Sequence, residues 1–332
     1  MFTVLGEALL DMVQPSPGDT YRALPAGGPL NIAVGLRRLG HTTAMMARFS
    51  SGALGMRLRR FALDSGLDLS ASVTTDEQAT LAFATVDEQG RASYDFFVRD
   101  SADWGWTVDE LAAVPPATRG IHTGSLATAL EPGAGRIVDW WEGQARGGRV
   151  LLSFDPNVRP ILAGARQTAV RRVERLVSSS HVVKASDEDL GWLYPDLDPA
   201  DAIRRWARLG PSLAVLTRGP AGCLGVTPDS RDVRIPAPEV AVVDTIGAGD
   251  AFQAGLLSGL ADAGRLSPRG VSLLSEAVVR RILERALDVA AVTCQRAGAN
   301  PPTRAEYETF ALGRHDEITQ PAVAADSNGG DR

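Results

Sequence analysis

The residues best placed to do chemistry lie in Val242-Val243-Asp244-Thr245-Ile246-Gly247-Ala248-Gly249-Asp250-Ala251-Phe252, where a β-like run meets two glycines and then a helical pattern. Glycines there let backbone N–H groups turn toward one point, and the helix that follows adds the positive end of its dipole, which makes an anion site. An aspartate in a first helical turn ordinarily serves as a cap. Beside an anion cradle, Asp250 has a second use. It can accept a hydroxyl proton while the cradle stabilises charge on a transferring phosphoryl group. A second glycine-rich helix start is Pro25-Ala26-Gly27-Gly28-Pro29-Leu30-Asn31-Ile32-Ala33. Pro29 suits the first helical position, and paired glycines permit close approach by a ligand. With Asp11 at the end of the first strand and Asn31 in the first turn, this start offers a carboxylate and an amide, the donor and acceptor equipment for hydroxyl-rich ligands. Taken alone, it reads more often as a helix start with no ligand.

Composition narrows the classes. Of 34 basic residues only Lys184 is a lysine, against 40 acidic residues and a net charge of −6. No lysine sits in a G-x-x-x-x-G-K-[ST] setting, so a P-loop is excluded. The acidic balance argues against nucleic acid or an anionic membrane as principal partner. No apolar stretch reaches membrane-spanning length, and the N-terminal apolar run has no basic residues before it and soon carries Glu7 and Asp11, unlike a signal peptide. Cys223 and Cys294 form no C-x-x-C pair and the four histidines form no ligand-spaced pair, so there is no zinc signature. A soluble protein of a reducing cytoplasm is expected.

The elements that must position these residues alternate between apolar strand-length runs and helical patterns, the sign of βαβ units in a mostly parallel sheet. Expected strands are Thr3–Leu10, Ala44–Phe49, Gly120–Thr123, Val150–Phe154, Val182–Ala185 and Leu213–Thr217. Expected helices are Asn31–Leu39, Met56–Leu63, Arg136–Ala145, Thr168–Val177, Ala200–Leu209, Ala251–Leu260 and Leu273–Arg296. Thr80–Val86 and Ala92–Val98, joined by a polar turn with Gly90, break the alternation as an inserted hairpin. The hairpin and the excursion Pro15–Asp19 read either as surface loops or as a lid over the sheet's edge. Trp104 and Trp106 just beyond it are expected in the core. From Leu312 onward the sequence is polar and unpatterned, and a disordered tail over 312–332 is expected.

Together these pieces resemble the ribokinase-like (PfkB) sugar kinases, from about Val4 to Pro302. The matching segments are G-E-A-L-L-D, G-G-P-L-N-I-A-V-G-L-R-R-L-G, D-P-N-V-R-P, K-A-S-D-E-D-L, T-R-G-P-A-G, D-T-I-G-A-G-D-A-F and A-G-A-N-P-P. The resemblance implies an α/β, three-layer, ribokinase-like kinase domain over 1–311. Its mostly parallel central sheet is flanked by helices and carries a small β lid from about 13–25 and 76–104. It implies transfer of the γ-phosphoryl group of ATP to a sugar hydroxyl, with Asp250 as base and Gly247, Ala248 and Gly249 as anion-hole amides. Asp11, Gly27, Gly28 and Asn31 would hold the sugar, joined by Arg99 of the lid and by Asn157 and Arg159 of the D-P-N-V-R segment. Lys184, Ser186, Thr217, Gly219 and Gly222 would face the nucleotide, and Asp189 would serve Mg²⁺ directly or through water. Asp244 and the Ile246 carbonyl resemble a monovalent-cation loop, which leaves potassium open, and pairing of lids between subunits leaves a homodimer open. Two departures stand out. The family's G-D-D-x-x-G is Ser50-Ser51-Gly52-Ala53-Leu54-Gly55 here, and the late purine-facing Asn is not evident near Leu287 and Asp288. The D-P-N-x-R and K-x-S-D-E elements favour a fructokinase. A 2-keto-3-deoxygluconate kinase or another sugar or nucleoside kinase is the alternative, and a catalytically weak sensor on the same fold is the alternative from another class.

Overall fold

A computed structural model describes residues 1–14, 20–86, 92–229 and 231–319 of the chain. Its centre is an eight-stranded sheet in the order Asp232–Ile235, Cys223–Val226, Leu213–Thr217, Val182–Ser186, Leu151–Asp155, Gly120–Gly124, Phe2–Leu5, Thr43–Met46. The last six run parallel and the first two are antiparallel additions at one edge. The parallel strands are buried at nearly every position because both faces are covered. One core lies between the sheet and the helices Gly28–Arg38, Ala248–Asp262 and Glu276–Cys294. A second lies between the other face and the helices Gly133–Gly147, Arg166–Ser178 and Pro199–Ala207. Alternate residues of a single strand divide between the cores, Leu151 to the first and Leu152 to the second. The result is three layers. Trp104 and Trp106 are buried with Leu5 and Met46 in a third, smaller cluster.

A separate four-stranded sheet stands off this body in the order Arg22–Ala26, Leu9–Val13, Leu81–Val86, Ala92–Phe97. The hairpin read from sequence is its antiparallel pair Leu81–Val86 and Ala92–Phe97. The turn 87–91 and the excursion 15–19 lie outside the described residues.

Two expected strands divide. Thr3–Leu10 is Phe2–Leu5 in the central sheet followed by Leu9–Val13 in the second sheet, so Asp11 belongs to the lid and not to the first body strand. The break falls at Gly6, where a Cβ would lie 2.3 Å from the Pro29 ring. Likewise Ala44–Phe49 becomes Thr43–Met46 in the central sheet and Arg48–Ser50, which pairs with Val73–Thr75. Apolar residues resume within two positions of each break, so hydrophobic periodicity alone runs through both, although Gly6-Glu7 and Arg48 mark them. The long helix starts later than expected, at Glu276, because the Ser275 hydroxyl accepts the Val278 amide as its cap. At the other end of the chain the helix Arg304–Thr319 runs past Leu312, where a tail was expected, and residues 320–332 lie outside the described residues.

Candidate active site

The parallel strands end along one edge, where open α/β sheets bind ligands. Glu7 follows the first strand, Ser125 follows Gly120–Gly124, Asp155 ends Leu151–Asp155, Ser186 ends Val182–Ser186 and Thr217 ends Leu213–Thr217. Above that edge the two glycine-rich helix starts meet. Asn31 Nδ2 donates to Asp250 Oδ2 at 2.8 Å across 219 residues of sequence. A Cβ on Gly28 would stand 3.0 Å from Asn157 Nδ2, 3.3 Å from Asp250 Oδ1 and 3.7 Å from Ser125 Cβ, so four segments converge on the space beside one glycine.

Asp250 is 9% exposed, in the first turn of the helix Ala248–Asp262. Burial pushes it up to about 6, opposed by the Asn31 hydrogen bond and the Lys184 charge. Gly247 caps that helix at φ +75°, a conformation that favours glycine. The Ala248 amide, expected to join the anion cradle, donates instead to the Thr245 carbonyl at 3.2 Å. That leaves the amides of Gly249 and Asp250, which lie in a first helical turn and have no acceptor inside the helix.

Lys184 lies beneath this turn and does not reach outward from a strand end. Only 4% exposed, it donates to Asp155 Oδ2 at 2.8 Å, and a Cβ on Gly249 would sit 3.3 Å from its ammonium. Burial pulls the Lys184 pKa down, but the carboxylates of Asp155, Asp189 and Asp250 outweigh it and the net shift is upward. Asp189 also differs from its expected role. One of its oxygens accepts the Val158 amide at 2.7 Å and the other the Ser186 amide at 2.9 Å, while the Ser186 hydroxyl accepts the Asp189 amide at 3.0 Å. This capping box starts the helix Asp187–Leu193 and fastens the D-P-N-V-R loop to it.

In that loop Asn157 adopts φ +38° and its amide donates to Asp155 Oδ1. Arg159 folds back so that its Nη1 donates to Asn157 Oδ1 at 2.7 Å. Its charge offsets the burial of three carboxylates, Glu7, Asp11 and Asp250. Arg99, expected over the substrate, lies exposed in the turn at the lid's base, so Arg159 is the cation facing those carboxylates. Asp11, on the lid, is pushed up to about 6 by burial, with Arg159 opposing. Gly27, at φ +117°, lets the chain pass Glu7, whose carbonyl oxygen a Cβ would meet at 2.6 Å.

On the far side, Gly219 and Gly222 take positive φ in the turn between Leu213–Thr217 and Cys223–Val226, and Thr217 Oγ1 donates to the Ala185 carbonyl. Asp244 clamps two loops. Its oxygens accept the amides of Ile246 at 3.0 Å and Gly298 at 2.8 Å. In the altered S-S-G-A-L-G segment, Ser51 Oγ donates to Asp76 and Ser50 Oγ accepts the Gly52 amide. Sequence reasoning missed Glu7, Ser125 and Asp155 as site residues. Glu7 is buried and accepts the Ala127 amide at 3.1 Å. Ser125 is buried at φ +55°, and Asp155 is 2% exposed. Polar residues directly after apolar strands were the available signal for all three.

The three layers, the lid and the paired glycine-rich helix starts are the architecture of the ribokinase-like kinases. The chain belongs to the pfkB family of carbohydrate kinases, whose profile matches residues 2–306. It is 33% identical to a fructokinase of Rhizobium leguminosarum bv. trifolii over 84% of this chain and 86% of that one. A fructokinase of Xylella fastidiosa, solved with bound ATP, superposes with a TM-score of 0.85 at 24% identity, covering 95% and 99% of the two chains. A double mutant of a Vibrio cholerae fructokinase, solved with fructose, ADP and a potassium ion, gives 0.79 at 26% identity over 93% and 97%.

Proposed function

We propose that this chain is an ATP-dependent fructokinase. The observation that carries the phosphotransfer is the meeting of Asp250, fixed by Asn31, with the open amides of its own helix start. In this reading the sugar lies between the lid carboxylate Asp11 and the Gly27-Gly28 turn, within reach of Asn31, Asn157 and Ser125. The acceptor hydroxyl faces Asp250. As its oxygen bonds to the γ-phosphorus, the bond to the β,γ-bridging oxygen breaks, ADP leaves, and the hydroxyl proton passes to Asp250. A carboxylate pushed up to about 6 is mostly ionised at neutral pH, yet basic enough for the task. The Gly249 and Asp250 amides and the Lys184 charge beneath them stabilise the phosphoryl group. Thr217, Gly219, Gly222 and Ser186 lie at the strand ends on the nucleotide side.

A magnesium ion bridging the nucleotide phosphates would neutralise charge that develops on them. Asp189 is 6% exposed and its oxygens hold the Val158 and Ser186 amides, so its place supports a role toward the ion through water. Among the described residues no group of three His, Cys, Asp or Glu side chains forms a cation site. A potassium ion at Asp244 and the Ile246 carbonyl would brace the loop that leads into the cradle.

A neutral sugar is favoured over a keto acid because Arg159 already faces three carboxylates and donates into its own loop. Fructose itself rests on the fructokinase relatives. The test is ATP-dependent phosphorylation of fructose, 2-keto-3-deoxygluconate, ribose and adenosine by purified protein. Fructose is expected to give the highest kcat/KM. Preference for another acceptor overturns the substrate, and binding of a sugar without turnover overturns the kinase reading.

A further inference from the structure

The second sheet joins the body through Ala8, Thr80 and Ser101; Ala8 and Thr80 bond the side chain of Asp103, and Ser101 joins them through Thr80. Asp103 is 2% exposed. Its Oδ1 accepts the Ala8 amide at 2.9 Å, at the entry to the strand Leu9–Val13. Its Oδ2 lies 2.5 Å from Thr80 Oγ1, at the entry to Leu81–Val86. Thr80 Oγ1 lies 2.7 Å from Ser101 Oγ, which is 3.1 Å from the Val98 carbonyl, just beyond the strand Ala92–Phe97. The Leu10 amide also donates to the Thr80 carbonyl at 3.1 Å.

Counting protons along this chain is decisive. Asp103 to Thr80, Thr80 to Ser101, and Ser101 to Val98 are three contacts, and each needs one proton. The two hydroxyls supply one each, and a carbonyl supplies none. With an ionised Asp103 the Thr80 hydroxyl turns to Oδ2 and Ser101 is left with one proton for two acceptors; only a proton on the carboxyl group satisfies all three contacts.

We propose that Asp103 is a neutral carboxylic acid that donates through Thr80 and Ser101 to the Val98 carbonyl, and that this one-way chain is a proton-dependent fastening of the lid to the body. Losing the proton reverses the Thr80 hydroxyl toward the carboxylate. Ser101 then bonds either Thr80 or Val98 but not both, and the exit of the lid is released. Asp11 lies three residues beyond Ala8 in the strand so fastened, which makes Asp103 a positioning residue for the sugar.

The surroundings agree. Burial pushes Asp103 up to about 7, reinforced by the nearby Glu7 carboxylate and opposed by the Ala8 amide and by the Thr80 hydroxyl when it is turned toward the carboxylate. Arg48 is the cation on this side, with Nε donating to the Ala102 carbonyl. Its charge is already paired with Glu77 and Glu110. Since the folded state holds this proton more tightly than the unfolded chain, the fastening is fully present at low pH and is lost as pH rises through about 7.

The test uses the full-length protein as wild type, Asp103→Asn and Ser101→Ala. An amide at 103 keeps an acceptor for Ala8 and a permanent donor for Thr80. Hydrogen-exchange protection of Leu9–Val13 and Leu81–Val86, corrected for intrinsic rate, is measured at about pH 6 and about pH 8.5. Wild type is expected to lose about fivefold in protection across the range, the worth of one hydrogen bond. Asp103→Asn is expected to stay protected, and Ser101→Ala to show about fivefold lower protection already at the lower pH. A second arm rests on the sugar-kinase reading: the wild-type KM for fructose rises over the same range, and that of Asp103→Asn does not. Exchange is independent of any substrate, so failure of the kinetic arm alone indicts the substrate. Equal pH dependence of exchange in wild type and Asp103→Asn, or wild-type protection in Ser101→Ala at the lower pH, overturns the proposal.

Discussion

Replacing Lys184 by Met tests how the site holds its charges. The ammonium is the only cation directly bonded to Asp155 among the described residues, at 2.8 Å, and the two side chains are 5% and 2% exposed. Breaking a buried pair from one side costs about 3–5 kcal/mol, because the carboxylate left behind stays desolvated. For 332 residues the unfolding entropy is about 0.7 kcal/mol per degree, so the midpoint should fall by roughly 4–7 °C. Neutralising the partner as well, in Lys184→Met with Asp155→Asn, keeps an acceptor for the Asn157 amide and should recover more than half of that loss. The same substitution removes one of the charges that hold Asp250 down, so the acidic limb of the kcat profile should move above its wild-type position near pH 6. Differential scanning calorimetry on the four proteins of the cycle and kcat against pH on the single variant supply both readings. A midpoint change under about 1 °C, with an unmoved acidic limb, would show that Lys184 does not balance the carboxylates, whatever its distance from them.

Two other expectations follow from the cradle. Asp250→Asn should lower kcat by roughly 10²–10⁴-fold while calorimetric sugar affinity stays near wild type, since only proton acceptance is lost. In wild type, kcat should fall as pH drops through about 6, where Asp250 takes up the proton it needs to be without; a loss under tenfold in the variant, or no acidic limb, argues against Asp250 as the base. Gly247→Ala places a Cβ 2.6 Å from Ala299 Cβ at a φ of +75°, so the cap should lose about 1–3 kcal/mol, with a raised KM for ATP. An unchanged thermal midpoint would contradict the geometry at that turn.

Much of the fold was legible because its signals are local. Parallel strands covered on both faces are continuous apolar runs, and Leu151–Asp155, Val182–Ser186 and Leu213–Thr217 stand within a residue or two of where the pattern put them. Glycine pairs ahead of helical periodicity likewise marked Gly27-Gly28 and Gly247–Gly249, since Gly27 and Gly247 take positive φ and a Cβ on Gly28 or Gly249 would crowd Asn157 or Lys184. Where the chain crosses from one sheet to another, at Gly6 and Ala47, only a single charged residue, Glu7 or Arg48, interrupts the apolar pattern, too little to show which sheet the next strand joins.

The sequence by itself determined the family, the two helix starts and the absence of a P-loop, because each is a matter of residue type at fixed short spacing. Only the tertiary structure decided which way polar side chains turn. It put Lys184 under the cradle, Asp189 in a cap and Arg159 against its own loop, and it gathered Ala8 and Thr80 on Asp103 with Ser101 bonded to Thr80. The longest of these reaches, Ala8 to Asp103, spans 95 residues of sequence, and buried groups of this kind must find their hydrogen bonds within the protein.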